Sequence, residues 1–201
     1  MYRTSSKEDF YKSGTVIIDA DGIPFEPASK DYVDQRVPID SLTGTGSPEG
    51  KIVAPVGAVY TDTVATTGAI RWIKTSGTGN TGWRVAYGET GRRDITSLTT
   101  ATAGTFTIER SGSAVSISSP SSSFNMDNGA RILTLPAGFR PPALIYMQTP
   151  PYWSSEVLRT VRIESNGAVI VRGGADSDVL NVSFTFSTSD QWPTSLPGTP
   201  L

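Results

Sequence analysis

The chain has 201 residues and a net charge of -2, and it contains no cysteine and no histidine. Without these residues it forms no disulfide, no thiolate metal site, no Ser-His-Asp triad and no Cys-His pair. The small negative charge supplies no basic field for nucleic acid, and no apolar run is long enough for a membrane-spanning helix. We therefore expect no nucleic acid partner, no membrane insertion, no metal and no cofactor.

The pattern of turn residues indicates the fold class. Glycine occurs 20 times and proline 14 times, and these residues divide the chain into short elements. Runs of Val, Ile, Thr, Phe and Ser between them predict a mostly β fold. We expect three parts: an N-terminal attachment segment and linker at 1–50, a small β module at 51–92, and an antiparallel, jelly-roll-like β-sandwich head at 93–201.

The N-terminal part is extended and contains one predicted helix. Residues 29–37, SKDYVDQRV, begin with Ser29 as a candidate cap and are followed by Pro38. Two helical turns are too short to be stable alone, so this helix requires a neighbour, which an identical chain could supply. The next segment, 41–51, has the composition of a linker. The helix residues that we assign to an interface between chains are Tyr32, Val33 and Val37.

The small β module has three predicted strands and a glycine-rich connection. Its residues 77–82 fit G-x-G-x-x-G, but no helix follows and no acidic residue stands about 20 positions later, as a dinucleotide site requires. We therefore interpret the match as a hairpin loop. Trp72 and Trp83 lie in strands that need large buried side chains, and because so small a sheet is marginally stable alone, we also assign them to the interface between chains. The predicted strands are Val53–Tyr60, Ala69–Lys74 and Trp83–Tyr87.

The head contains longer predicted strands with explicit turns. Asn166-Gly167 between two apolar runs is a strong hairpin signal. In the last strand, Val182, Phe184 and Phe186 alternate with polar residues, which indicates one buried face. The predicted strands are Thr105–Arg110, Ala114–Ser118, Ala130–Leu135, Ala143–Gln148, Leu158–Glu164, Ala168–Arg172 and Val179–Ser187.

Loop aromatics are the candidate ligand contacts of the head. Tyr152 and Trp153 follow two prolines in a stiff loop, and Trp192 lies in another loop, DQWPTSLPG. Such side chains can stack on sugar rings or anchor an interface, or they can cover an end of the sandwich core.

Most of the 19 acidic residues occupy turns, where the side chain of aspartate forms hydrogen bonds with the neighbouring backbone. We therefore predict no catalytic residue and no enzyme activity, with a depolymerase that uses two close carboxylates as an alternative.

Three parts of the chain together resemble phage tail proteins. SKDYVDQRV is similar to the short helix that ends many tail-fibre attachment regions. PVGAVYTDTVATTGAIRWIKTSGTGNTGW looks like a small β module of tail and fibre proteins from phages of actinobacteria. LPAGFRPP, VRIESNGAVIV and VSFTFSTSDQWPTSLPG are similar to the C-terminal head of phage fibre and receptor-binding proteins.

The resemblance implies a homotrimeric virion protein, either a short tail fibre or a minor tail protein. Its N-terminal segment would attach to other tail or baseplate proteins, and its head would contact the host surface, for which a cell-surface saccharide is the candidate ligand. The resemblance carries over no catalytic residue. The alternative is a virion decoration or connector protein, such as a head fibre, that does not bind the host.

Overall fold

The computed structural model describes residues 17–18, 24–25, 42–124, 129–149, 159–173 and 179–201. The chain divides into two compact units, Met1–Asp40 and Ser41–Leu201. In the first unit, the described residues form an antiparallel pair, β1 (Ile17–Ile18) with β2 (Pro24–Phe25). The predicted helix at 29–37, with Tyr32, Val33 and Val37, lies outside the described residues.

The second unit is built almost entirely of strands, which confirms the predicted mostly β fold class. Among the described residues of this unit, one 3-10 turn, Thr96–Leu98, lies between the strands. No helix in the described part of the chain is long and apolar enough to cross a membrane. The strands are β3 (Leu42–Gly44), β4 (Val59–Asp62), β5 (Ala69–Lys74), β6 (Trp83–Gly88), β7 (Arg93–Asp94), β8 (Ala101–Ala103), β9 (Thr107–Ser111), β10 (Ala114–Phe124), β11 (Arg131–Thr134), β12 (Ile145–Thr149), β13 (Arg159–Ile163), β14 (Ala168–Arg172), β15 (Val179–Ser187) and β16 (Thr199–Pro200).

Two antiparallel sheets form a sandwich around one apolar core. The first has the order β15-β10-β9-β7-β16, with β8 paired to β10, and the second has the order β11-β14-β13-β12. Strand alternation builds this core, because in β10 Val115 and Ile117 are buried while Ser116 and Ser118 face outward. The buried apolar residues are Ile95, Phe106, Ile108, Val115, Ile117, Ile132, Leu133, Leu135, Phe139, Val161, Ile163, Val169, Val171, Val182 and Phe186.

The predicted hairpin at Asn166-Gly167 is confirmed and joins β13 to β14. Glu164 and Ala168 close it through a backbone hydrogen bond of 2.9 Å. Gly167 has a φ of 91°, and a Cβ there would come within 2.6 Å of the Leu135 carbonyl oxygen. Both the backbone conformation and the close neighbour therefore require glycine at this position. The alternation predicted for the last strand is also confirmed, since Val182 and Phe186 are buried there.

A third sheet, with the order β3-β4-β5-β6, covers a separate apolar cluster. Its first pair, β3 with β4, is parallel. Within the segment 41–51, which has the composition of a linker, Leu42–Gly44 therefore form a strand of this sheet. The Glu49 carboxylate accepts the N–H groups of Gly82 at 3.2 Å and Trp83 at 2.7 Å. The apolar cluster consists of Ala54, Ala58, Tyr60, Ala69, Trp72, Trp83 and Trp192.

The glycine-rich connection between β5 and β6 is a hairpin loop, as predicted. Thr75 N–H donates to the Gly82 carbonyl at 2.9 Å across its base. The ammonium of Lys74, which is 1% exposed, enters the loop and donates to the carbonyls of Gly79, at 2.7 Å, and of Thr81. The loop thus presents carbonyl oxygens to a cation of its own chain, whereas a dinucleotide loop presents N–H groups to phosphate.

Burial corrects the assignment of Trp72 and Trp83 to an interface between chains. Their exposed fractions are 3% and 0% within one chain. The indole N–H of Trp83 donates to the Ile52 carbonyl at 2.9 Å, and its ring meets Tyr60 edge to face at 6.1 Å. The module encloses its own aromatics because residues 42–58 and Trp192 cover the face that the three predicted strands alone would leave open. The boundary drawn after residue 92 therefore separates two apolar clusters inside one compact unit.

Asp62 makes the stability of the third sheet depend on pH. Burial raises the pKa of its carboxyl, but backbone N–H bonds from Ala65, Gly46 and Val64 and the charge of Lys51 outweigh burial and hold the pKa below its ordinary 3.8. We expect the stabilisation to be complete above that ordinary value and to disappear as the pH falls through the lower pKa of the folded chain. Urea unfolding followed by tryptophan fluorescence, between about pH 5 and about pH 2, measures it.

Asp62→Asn is the matched variant, because it keeps an oxygen acceptor for the backbone and does not titrate. Its unfolding free energy should fall less steeply with acid than that of the wild type. Identical slopes for the two proteins would contradict the role of this carboxylate.

Candidate functional site

The segment after β15 forms a cleft at the meeting point of the two apolar clusters. The cleft has a volume of 410 Å³ and is open to solvent on one side. Trp192 reaches the cluster of the third sheet, while Phe139 lies in the core of the sandwich. We call this site the junction cleft; its lining residues are Pro136, Ala137, Gly138, Arg140, Asp190, Gln191, Trp192, Pro193, Thr194 and Ser195.

Trp192 is a packing residue, which corrects the expectation that it contacts a ligand through an exposed ring. Only 5% of it is exposed. Its indole N–H donates to the Thr67 carbonyl at 2.9 Å. The ring therefore packs in the apolar cluster of the third sheet, whereas the packing alternative from the sequence placed it at an end of the sandwich core. Tyr152 and Trp153, the two other predicted ligand aromatics, lie outside the described residues.

Arg110, at the end of β9, lies beneath the junction cleft and is 6% exposed. Its guanidinium donates to the carbonyls of Gly112 at 2.9 Å, Asp190 at 3.1 Å and Gln191 at 3.1 Å, and also to that of Gly138. The same guanidinium stacks 4.8 Å from the centre of the Trp192 ring. One side chain thus joins β9, the loop between β11 and β12 that contains Gly138 (the 138 loop), and the segment after β15.

Burial lowers the pKa of Arg110 to about 10, against the opposing effect of the nearby Asp190 carboxylate. Because this value lies well above neutral pH, the guanidinium stays charged. A buried charge is costly unless hydrogen bonds satisfy it, and the four carbonyls supply those bonds. The network therefore fixes the floor of the cleft in one arrangement.

Asp190 links the two loops that form the cleft walls. Its Oδ2 accepts the N–H groups of Gly138 at 2.9 Å and Arg140 at 3.3 Å. Its own N–H donates to the Thr188 hydroxyl oxygen at 3.1 Å, and that hydroxyl donates to the Arg140 carbonyl at 2.6 Å. A Cβ on Gly138 would also lie 2.9 Å from the ring of Pro193. The two walls are therefore so close at this point that a side chain larger than that of glycine would clash.

Arg140 supplies a half-buried cation at the cleft. Its Nε donates to the Leu135 carbonyl at 3.0 Å, and its side chain lies against Gly167 of the β13–β14 hairpin. Within the part of the chain that the structure describes, its two terminal amino groups make no hydrogen bond or ion pair. A guanidinium in this state is oriented by its neighbours and still has donors for a ligand.

The remaining lining combines exposed polar groups with apolar walls. Gln191, Thr194 and Ser195 are exposed, and Pro136 and Pro193 supply apolar surface. Asp190 is the one carboxylate among the described residues that line the cleft, and it is engaged by the backbone. No group of three or more metal-ligating side chains occurs in the described ranges. The arrangement suits hydrogen bonding to a polar ligand.

A smaller cavity of 210 Å³ lies beside the junction cleft, and residues 190–192 line both. Arg84 of β6 lines this second cavity and donates from Nη1 to the Ser189 carbonyl at 3.1 Å. Arg84 of the third sheet and Arg110 of the sandwich therefore both line this second cavity, next to the same short segment.

Sequence reasoning missed Arg110, Asp190 and Arg140 because no motif connects them. One signal was available for Arg110: it continues the inward alternation of Phe106 and Ile108, so it occupies a core-facing position in β9. A charged residue at such a position requires partners. The identity of those partners does not follow from the sequence, since they are backbone carbonyls of distant loops.

Replacing Arg110 should destabilise the second unit. Arg110→Met removes the donors of several buried carbonyls, and we expect a loss of about 3 kcal/mol in the free energy of unfolding. Arg110→Lys keeps the charge but cannot reach all the carbonyls, so its loss should be smaller. Urea unfolding measures both values. Arg172→Met, an exposed arginine on β14, is the control, and we expect a change within about 0.5 kcal/mol. Equal stability of Arg110→Met and the control would refute this role.

Comparisons with known proteins give no family for this chain: no family model, no curated protein and no solved structure matches it.

Proposed function

We propose that this chain is a virion structural protein, a short tail fibre or minor tail protein whose sandwich head contacts the host surface and binds a saccharide there. The observation that carries the proposal is the junction cleft, an open surface of hydrogen-bonding side chains on loops fixed from below. The order of the three tail-like sequence segments supports a place on the virion.

Preorganisation is the physical support for a binding role. Arg110 and Asp190 fix the two loops of the junction cleft through buried hydrogen bonds. Binding then orders few side chains, so little of the interaction energy is lost to conformational entropy. Exposed hydroxyl and amide groups such as those of Thr194, Ser195 and Gln191 match the hydroxyl groups of sugars.

The proposed assembly is a homotrimer, attached to other tail or baseplate proteins through the N-terminal segment. With Trp72 and Trp83 enclosed in one chain, the outer face of β5 and β6 becomes the candidate interface. Ile73 and Tyr87 are exposed on these strands, at 36% and 54%. Large apolar side chains on an exposed sheet face support contact with another chain. Trimeric rather than dimeric assembly rests on the resemblance to phage fibre proteins.

A virion decoration or connector protein is the second candidate. The same exposed face of β5 and β6 favours it, because that face could dock onto a neighbouring virion protein without any contact to a host. Host binding distinguishes the two candidates.

Host binding is tested with the full chain, fluorescently labelled, on cells of a panel of actinobacteria. We expect saturable binding that an unlabelled excess of the chain displaces. Tyr152→Ala with Trp153→Ala should weaken this binding by about 2 kcal/mol if the two form a hot spot. The absence of binding to every strain that the corresponding phage infects would favour the decoration or connector role.

Assembly is tested by light scattering on the purified chain at micromolar concentration. We expect the mass of three chains. Ile73→Glu with Tyr87→Glu should reduce the mass, because two charges would enter an apolar contact. A circular dichroism spectrum identical to that of the wild type is the control for folding. The mass of one chain for the folded wild type would refute the trimer.

A further inference from the structure

Positive charge is concentrated around residues 189–192. Arg84, Arg110 and Arg140 contribute three guanidiniums, against the one carboxylate of Asp190. Arg84 donates to the Ser189 carbonyl at 3.1 Å, which places it at this segment. The whole chain has a net charge of -2, so the local charge is opposite to that of the molecule.

Of these cations, Arg140 is the one with donors left for a ligand in the junction cleft. The guanidinium of Arg110 already donates its hydrogen bonds to backbone carbonyls beneath the cleft. Arg84 lines the neighbouring cavity. Arg140 is held by Leu135 through Nε alone, which leaves its planar pair of terminal amino groups for two parallel hydrogen bonds. Carboxylate and phosphate oxygens have the geometry that accepts such a pair.

The Asp190 carboxylate does not cancel this cation. It forms no ion pair with Arg140 among the described residues. Its Oδ2 accepts two backbone N–H bonds, and its charge also lies close to Arg110. Asp190 therefore compensates the buried guanidinium of Arg110, while the terminal amino groups of Arg140, a residue that lines the cleft, make no hydrogen bond or ion pair with the described residues.

We infer that the junction cleft binds an anionic group, a carboxylate or a phosphate, carried by a polysaccharide, with Arg140 on the anion and Gln191, Thr194 and Ser195 on adjacent sugar hydroxyls. The inference rests on the proposed function and adds the charge class of its ligand.

The test compares the affinity of the full chain for three polymers: polygalacturonate for carboxylate, poly(glycerol phosphate) for phosphate, and dextran as the neutral probe. We expect one anionic polymer to bind at least about tenfold more tightly than dextran. The better of the two identifies the anion. Affinity should decrease between about 50 mM and about 300 mM salt, as for a partly exposed ion pair.

Variants locate the binding. Arg140→Met should weaken anion binding by about tenfold or more, whereas Arg172→Met, which removes the same charge from an exposed site on β14, should change it by less than about twofold. Gln191 is exposed, so Gln191→Glu and Gln191→Lys alter the charge of the cleft without disturbing the core. The first should weaken and the second strengthen anion binding, which tests the site even if Arg140→Met fails to fold.

Equal loss in Arg140→Met and Arg172→Met would overturn the inference, because binding would then follow the overall charge. Unchanged affinity in both Gln191 variants would also overturn it. Binding to host cells with no preference for either anionic polymer would refute the anionic ligand and leave the proposed function intact. Binding to neither cells nor polymers would refute the proposed function together with this inference.

Discussion

The guanidinium of Arg110 lies where the β9–β10 turn, the 138 loop and the segment after β15 meet, and it donates to carbonyls from each of them. These loops have no sheet partner for their carbonyls, and buried carbonyls without donors are costly. One planar group with five N–H donors satisfies them at once and stacks on Trp192. The attachment of the third sheet to the sandwich and the shape of the junction cleft both depend on this arrangement.

In the third sheet, Lys74 likewise is a buried cation that donates hydrogen bonds to backbone carbonyls of a loop. Its buried ammonium satisfies the carbonyls of the loop after β5, while the Glu49 carboxylate accepts N–H groups at the end of that loop. These charged side chains form hydrogen bonds with the backbone of loops and not ion pairs with each other. Replacing such a buried charge would leave the backbone groups of a loop without their hydrogen-bond partners.

The separation between buried residues that fix the loops and exposed residues on their surface gives a physical basis for the proposed binding role. The sandwich supplies the support, the buried charges fix the loops, and several side chains of those loops are exposed to solvent. Of the residues around the junction cleft, Arg110 and Trp192 belong to the support, whereas Gln191, Thr194 and Ser195 belong to the exposed surface. Arg140 belongs to both, because one of its nitrogens fixes it and the other two remain available.

The sequence by itself determined the mostly β class, the positions of most strands and the hairpin at Asn166-Gly167, because alternation and turn chemistry are local properties. It also identified the glycine-rich match as a loop. Only the tertiary structure decided that Trp72, Trp83 and Trp192 share one core, that Leu42–Gly44 form a strand of the third sheet, and that Asp190 lies beside both Arg110 and Arg140. These outcomes depend on contacts between distant segments: the indole of Trp192 meets the carbonyl of Thr67, and no local pattern encodes that pairing.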